Sequence, residues 1–203
     1  MKRLAVIGLA VLAARPLHAQ IRGSVIAGYV SAKVSESFEG ATVTLASRSG
    51  FAAGIGMSHD VARDVSFDPE LLYVQKGFDQ TSGTDEFKLK LGYIEVPLLF
   101  RAMFASGSAH PFITAGPAFA FKVSCSGEES SGGNGTSADC SNADNGAVKS
   151  FDFGVMLGAG VTIHNVTISA RYDLGVANIQ PDPQPGESVK NRALMVLVSL
   201  AIK

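Results

Sequence analysis

Apolar residues occupy every second position in seven segments that follow residue 50 of the chain. These segments are residues 51–57, 65–73, 94–102, 113–123, 151–161, 166–176 and 194–202. A period of two places unlike side chains on the two faces of a β-strand. The less regular residues 22–34 can supply one more strand. The pattern therefore predicts an all-β protein built from eight antiparallel strands.

The two faces of these strands differ in a way that identifies their surroundings. The apolar face holds 37 positions and no charged residue, although 17% of the chain is charged. The opposite face combines many glycines with a few acids and bases, which suits a narrow closed interior better than a solvated surface. We therefore favour an up-and-down transmembrane β-barrel. The alternative is a soluble periplasmic lipid-binding barrel, with its cavity lined by Phe119, Phe153, Leu157 and Tyr172.

The connections between the predicted strands alternate in length. The short ones are residues 59–64, 105–110 and 163–165, and the longer ones are residues 35–47, 79–85, 124–149 and 180–190. Outer-membrane barrels have short periplasmic turns and longer extracellular loops. The alternation therefore predicts that the first strand begins on the periplasmic side and that the last strand ends there.

The first 19 residues have the pattern of a secretory signal peptide. Lys2 and Arg3 precede an apolar run at residues 4–14, and Ala19 precedes a polar residue. This run is shorter than the roughly 20 residues that a membrane-spanning helix needs. We expect residues 1–19 to be removed, leaving residues 20–203 as a barrel domain in the outer membrane of a Gram-negative-type bacterium.

The inward-facing charges are nearly balanced in sign. Counting from the short turns places Glu70 and Arg171 at similar height on opposite walls, with Glu95 and Asp173 higher and Arg101 lower. Because buried charges need partners, we expect Arg171 and Arg101 to bridge these carboxylates across the lumen. Eight strands leave an interior just wide enough for side chains. The prediction is a filled lumen that acts as a structural plug, with a gate or proton path as the functional alternative.

The extracellular side carries two candidate features. Cys125 and Cys140 are the only cysteines and lie in the longest predicted loop. In an oxidising compartment they are expected to form a disulfide worth about 3 kcal/mol. Lys88 and Lys90 point outward beyond the apolar band, where they would meet lipopolysaccharide phosphates or water.

No residue pattern points to catalysis, a metal or a cofactor. His59, His110 and His164 all fall at predicted periplasmic turns, away from the outer rim where lipid A would lie. A serine nucleophile needs a base within hydrogen-bonding reach, and no strand face offers that pair. With 17 basic and 18 acidic residues, the chain has no excess positive charge for nucleic acid. We therefore predict a non-enzyme.

Several strand motifs follow one another in a familiar order. Residues 66–77 read Ser-Phe-Asp-Pro-Glu-Leu-Leu-Tyr-Val-Gln-Lys-Gly, and residues 93–101 read Tyr-Ile-Glu-Val-Pro-Leu-Leu-Phe-Arg. Shorter motifs follow at residues 115–117, 158–160, 170–175 and 190–192. Together they resemble the PorT-like outer membrane β-barrel family, often labelled porin family proteins, over about residues 50–203. The resemblance implies an eight-stranded outer-membrane barrel from a family whose members generally lack an assigned activity, although the namesake takes part in a secretion system.

The function predicted from these observations is structural or interactional. The resemblance suggests envelope assembly or secretion, with outer-membrane lipids, lipopolysaccharide and envelope or secretion proteins as partners. A narrow channel or a hydrophobic-solute transporter is a further alternative, and the transporter would need a lateral opening in the barrel wall.

Overall fold

The computed structural model describes residues 21–38, 41–44, 46–83, 85–104, 107–131, 134–140, 148–181 and 183–202. The predicted signal peptide lies outside these residues and stays a prediction. The strands are β1 Arg22–Phe38, β2 Ala41–Thr44, β3 Ala46–Ala62, β4 Val65–Ser82, β5 Asp85–Met103, β6 Ala109–Ser131, β7 Asn134–Asp139, β8 Phe151–Ile163, β9 Val166–Gly175 and β10 Ser188–Ile202. No helix in this described part of the chain has the length and apolar character to span a bilayer.

Eight of the strands form one closed antiparallel ring. Around the ring, β1 is followed by β3, β4, β5, β6, β8, β9 and β10. The ring closes where β10 pairs with β1, from Gly23↔Ile202 to Ser37↔Ser188. Closure gives each of these eight strands two hydrogen-bonded neighbours, which removes the free sheet edges that lipid could not satisfy. The predicted eight-stranded up-and-down barrel is confirmed.

The alternating apolar residues point out of the ring. On β8, Leu157 is 46% exposed while its neighbour Met156 is fully buried in the interior. Ile55 on β3 and Ile113 on β6 are likewise exposed. The rings of Phe119 and Phe153 pack against each other on adjacent strands, with centroids 5.3 Å apart. A soluble barrel with this apolar face lining its cavity is therefore ruled out.

The extracellular connections contain more strand than the sequence predicts. β4 and β5 remain paired as far as Ser82↔Asp85, so the longer connection expected at residues 79–85 is a tight hairpin. The end of β6 pairs with the short strand β7, and the end of β1 pairs with β2. These extensions were missed because strands above the membrane need no continuous lipid-facing stripe, so their sequences do not alternate regularly.

The turns at the opposite end are short, as predicted. Arg63 and Asp64 alone join β3 to β4, and His164 and Asn165 alone join β8 to β9. His164 has a φ of 56°, a left-handed conformation that suits the first position of a two-residue hairpin turn.

A β-bulge changes which face of β6 points inward. Tyr93 of β5 pairs with Lys122, but the adjacent Gly92 pairs with Ser124, which leaves Val123 as the extra residue. Val123 and Ser124 are both exposed, and the next residue, Cys125, is buried in the barrel mouth. The bulge therefore turns Cys125 toward the interior.

Large apolar side chains fill much of the lumen. The sequence predicts small residues and charges there, but that description is incomplete. A buried apolar cluster occupies the interior, and its larger members are Ile26, Val30, Leu72, Val74, Leu99, Met156, Met195 and Leu197. Because side chains fill a barrel of this size, the charged residues are held among apolar neighbours.

Candidate functional site

An ion pair crosses the lumen between opposite walls of the barrel. Arg171 on β9 donates from Nη1 to Oε2 of Glu70 on β4 at 2.5 Å, and from Nη2 to Oε1 at 2.9 Å. Three strands separate β4 from β9 in either direction around the ring, so the side chains meet across the full width of the interior. Both are buried. A bidentate pair of this kind fixes geometry as well as charge.

Arg101 has a different partner from the one that the sequence predicts. Its Nε lies 2.7 Å from Oδ2 of Asp68, which is on the adjacent strand β4. Its guanidinium carbon lies 4.3 Å from the centroid of the Phe112 ring. The prediction that Arg101 bridges Glu70, Glu95 or Asp173 across the lumen is therefore wrong. We call Asp68, Glu70, Arg101 and Arg171 the lower cluster, because they lie on the side of the short turns.

Lys76 takes the role that the sequence assigns to the arginines higher in the lumen. Its Nζ donates to Oδ2 of Asp173 at 2.5 Å and lies 3.5 Å from Oε2 of Glu95. Lys76 is on β4 and Asp173 is on β9, so this contact also joins opposite walls. The strict alternation of residues 68–76 already placed Lys76 on the inward face, and that was the available signal.

The amide of Asn191 completes this region. We call the region the upper cluster, and its members are Lys76, Tyr93, Glu95, Asp152, Asp173 and Asn191. Asn191 donates from Nδ2 to Oδ2 of Asp152 at 2.8 Å and to the hydroxyl of Tyr93 at 3.3 Å. All six side chains are buried. Sequence reasoning missed Asn191 because it was read only as part of a family-like motif.

Two inward-facing glycines leave room for these clusters. A Cβ at Gly158 would lie 2.9 Å from Cγ of Arg171, and one at Gly154 would lie 2.8 Å from Oδ1 of Asp173. Both distances are shorter than the van der Waals contacts that a Cβ atom ordinarily makes. The glycines on β8 therefore make space for charged side chains on β9, which is a specific use for the small residues that the sequence places inside.

The clusters close the barrel between two recesses. A polar recess of about 530 Å³ lies at the end with the short turns and reaches Asp68, Glu70 and Arg101 of the lower cluster. A second recess of about 510 Å³, lined largely by apolar residues, lies at the other end. Paired ions and packed apolar side chains occupy the lumen between them.

The predicted disulfide is present at the extracellular end. Cys125 and Cys140 are bonded, with their Cα atoms 4.9 Å apart. The backbone N–H of Cys140 also donates to the carbonyl of Cys125 at 3.2 Å. The bond ties the chain after β7 to β6, so the β6–β7 hairpin is held at its base.

Lys88 and Lys90 face outward on β5, and each has a carboxylate neighbour. Lys88 donates to Oε2 of Glu86 at 2.7 Å, and this hydrogen bond raises the pKa of Lys88. Lys90 donates to Glu128 on β6, and that bond lowers the pKa of Glu128. The ammonium groups are therefore exposed but already paired within the protein.

The three histidines among the described residues lie at the end of the barrel with the short turns. His59 is near the end of β3, His110 is near the start of β6, and His164 is in the β8–β9 turn. Among the residues that the structure describes, no group of three or more histidine, cysteine or acidic residues is arranged to hold a metal ion.

A closed ring with an apolar exterior and a plugged interior defines an outer-membrane β-barrel protein. The sequence model of the family described as "Outer membrane protein beta-barrel domain" matches residues 9–180. The chain belongs to this family, and its place is the outer membrane of a Gram-negative bacterium.

Solved structures with a similar fold share little sequence with this chain. Ail, the attachment invasion locus protein of Yersinia pestis, is 16% identical, with a TM-score of 0.44 and coverage of 89% of this chain and 98% of Ail. OprG from Pseudomonas aeruginosa is 10% identical, with a TM-score of 0.47 and coverage of 89% and 96%. The outer membrane enzyme PagL is 16% identical, with a TM-score of 0.41 and coverage of 85% and 99%. No curated protein matches the chain significantly.

Proposed function

We propose that this protein is a non-conducting outer-membrane barrel with a structural and interaction role. The observation that carries the proposal is the bidentate Arg171–Glu70 pair, which joins opposite walls of the lumen. The Lys76–Asp173 contact forms a second cross-link higher up. An ion entering from either recess would have to separate buried side chains of opposite charge, which is strongly unfavourable. This counts against the narrow-channel alternative.

The surface that meets partners is the extracellular set of hairpins. The β4–β5 hairpin and the disulfide-tied β6–β7 hairpin extend beyond the band of exposed apolar side chains. Their paired backbones give a defined shape on which a partner protein can dock. The PorT-like motifs at residues 66–77 and 93–101 support a role for this interaction in envelope assembly or secretion. The lipopolysaccharide contact of Lys88 and Lys90 stays a prediction. Both ammonium groups already donate hydrogen bonds within the protein, to Glu86 and Glu128.

The proposal includes no catalytic activity. His59, His110 and His164 lie at the end of the barrel away from the extracellular hairpins, whereas a lipid A-modifying site would face the outer rim. The barrel fold itself does not decide this point, since PagL is an enzyme. The charged residues of the lumen are instead engaged with one another, which supports a structural role for them.

Planar-bilayer recording tests the closed lumen. Purified wild-type barrel should give no stable current steps, and a Glu70→Ala/Arg171→Ala variant should give intermittent ones because the lower cross-link is gone. Leu157→Val on the lipid-facing surface is the matched control and should remain silent. Steady conductance by the wild-type protein would overturn the proposal.

Site-specific photo-crosslinking in native membranes tests the interaction role. A crosslinker at Thr136, exposed on β7, should trap envelope or secretion proteins. The same group at Arg63, exposed in the short β3–β4 turn, is the control and should not give those adducts. Adducts at neither position would contradict the role of the hairpins.

A further inference from the structure

The apolar recess at the extracellular mouth is built from both strands and loops. It measures about 510 Å³, within the range of small-molecule pockets. Its inner wall includes Leu89 and Leu91, and Leu91 is only 1% exposed. Phe78 lies level with Leu89 on the neighbouring strand, and its ring centroid is 5.8 Å from that of Phe87. A flat or flexible apolar group would be enclosed here on several sides.

Two loop residues fix the shape of this mouth pocket. Ile179, from the β9–β10 connection, is buried in the wall, and its backbone is pinned on both sides. Its carbonyl accepts a hydrogen bond from the N–H of Lys149 at 2.7 Å, and its N–H donates to the carbonyl of Val189 at 2.9 Å. Val148 is the second loop residue in the wall, and its carbonyl accepts a hydrogen bond from Nζ of Lys122 at 2.5 Å. The pocket is therefore preformed rather than a gap between loose loops.

The floor of the mouth pocket is closed. Tyr93 belongs to the same apolar cluster as Leu89 and Leu91 and is fully buried. Its hydroxyl accepts a hydrogen bond from Asn191, and Nζ of Lys76 lies 5.5 Å from its ring centroid. The upper cluster therefore begins directly beneath this ring. A molecule that enters from outside is held at the mouth and does not pass through the barrel axis.

The rim of the mouth pocket is acidic. Glu36 and Glu187 line it, and no basic side chain does so among the residues that the structure describes. Oε2 of Glu187 accepts hydrogen bonds from Gln180 and from the backbone N–H of Gln184, which holds this carboxylate in place. Glu36 is exposed and faces the opening. The rim favours a positively charged group and disfavours a negative one.

We propose that the mouth pocket binds a small amphiphile that has an apolar, preferably aromatic, body and a cationic head. The body packs against Phe78, Phe87, Leu89 and Leu91, and the head lies beside Glu36 and Glu187. This inference concerns a small-molecule site and stands independently of whether the hairpins dock a protein.

Methyl NMR of the full barrel in zwitterionic nanodiscs tests the proposal, with 4-phenylbutylammonium and 4-phenylbutyrate as probes. The two probes have the same apolar body and opposite charges. The ammonium probe should shift the methyl signals of Leu89, Leu91, Val148 and Ile179 saturably. The carboxylate should bind roughly fivefold more weakly, the size of an exposed ion-pair effect. Glu36→Gln should reduce that difference.

The lipid-facing methyl groups of Ile55 and Leu157 provide the internal control, because partitioning into the bilayer would shift them without saturation. Leu91→Trp should abolish the mouth-pocket shifts by filling the space, and Val189→Phe serves the same purpose if Leu91→Trp fails to fold. Saturable shifts that persist in a folded filled variant would overturn the proposal. Shifts confined to Ile55 and Leu157, or equal binding of both probes, would also overturn it.

Discussion

Removing one charge from the lower cluster should strongly destabilise the barrel. Glu70→Gln keeps the volume of the side chain but leaves the Arg171 guanidinium without its bidentate partner. The lower cluster would then hold two guanidinium groups and the single carboxylate of Asp68. Leaving an uncompensated buried charge costs about 3–5 kcal/mol of unfolding free energy. This corresponds to roughly a 10²–10⁴-fold change in the unfolding equilibrium constant.

Urea unfolding of the barrel in lipid vesicles, followed by heat-modifiable gel mobility, measures this loss. A Glu70→Leu/Arg171→Met double variant removes both charges and should recover most of the stability, because an apolar replacement of a buried pair is close to neutral. The matched control is Asp60→Asn, which breaks an Arg22–Asp60 pair at a similar 2.7 Å but with 47% and 32% of the side chains exposed. It should lose no more than about 1 kcal/mol. A loss below about 1 kcal/mol for Glu70→Gln would refute the argument that the lumen is desolvated at this point.

Two further predictions concern the outer surface and the extracellular end. Leu157→Arg, at the centre of the lipid-facing side of β8, should lower the unfolding free energy by about 2–4 kcal/mol, whereas Ile163→Arg on the same face at the end of β8 should cost about 0–1 kcal/mol. Equal losses at the two positions in vesicle unfolding would contradict the depth dependence and hence the assigned membrane span. Replacing Cys125 and Cys140 by serine should speed proteolysis between them, since the closed loop loses about 3 kcal/mol of entropic restraint. The β4–β5 hairpin, which has no such cross-link, should be cut at an unchanged rate in both proteins, and unchanged cutting between the two serines would show that the disulfide does not restrain the β6–β7 hairpin.

The membrane-spanning strands could be predicted from the sequence because lipid imposes a strict rule on them. Every second side chain between residues 151 and 161 must be apolar. This constraint produces a period of two that can be recognised from the sequence alone. Above the membrane that constraint ends. No period of two is therefore present in the strand extension at residues 124–131 or in β7, and both were predicted as loop.

The pairing of charges was harder to predict than their inward orientation. Alternation alone placed Glu70, Arg101 and Arg171 inside, but their heights depend on the stagger between strands around the ring. Neighbours on adjacent strands then compete with partners across the lumen, and Asp68 captures Arg101 in this way. The mouth pocket was not predictable at all, because Val148 and Ile179 come from irregular connections whose course no local pattern encodes.

The β1–β10 seam constrains how this chain can assemble. Residue 23 pairs with residue 202, so the contact that completes the ring joins positions almost the whole chain apart. Neighbouring hairpins can form early from local contacts, but the last hydrogen-bonded ladder has to wait until β10 is available. Until then β1 presents an unpaired edge that lipid cannot satisfy. Lipid therefore cannot hold the sheet stably until β10 has closed it, and until then the β1 edge has to be satisfied by something other than lipid.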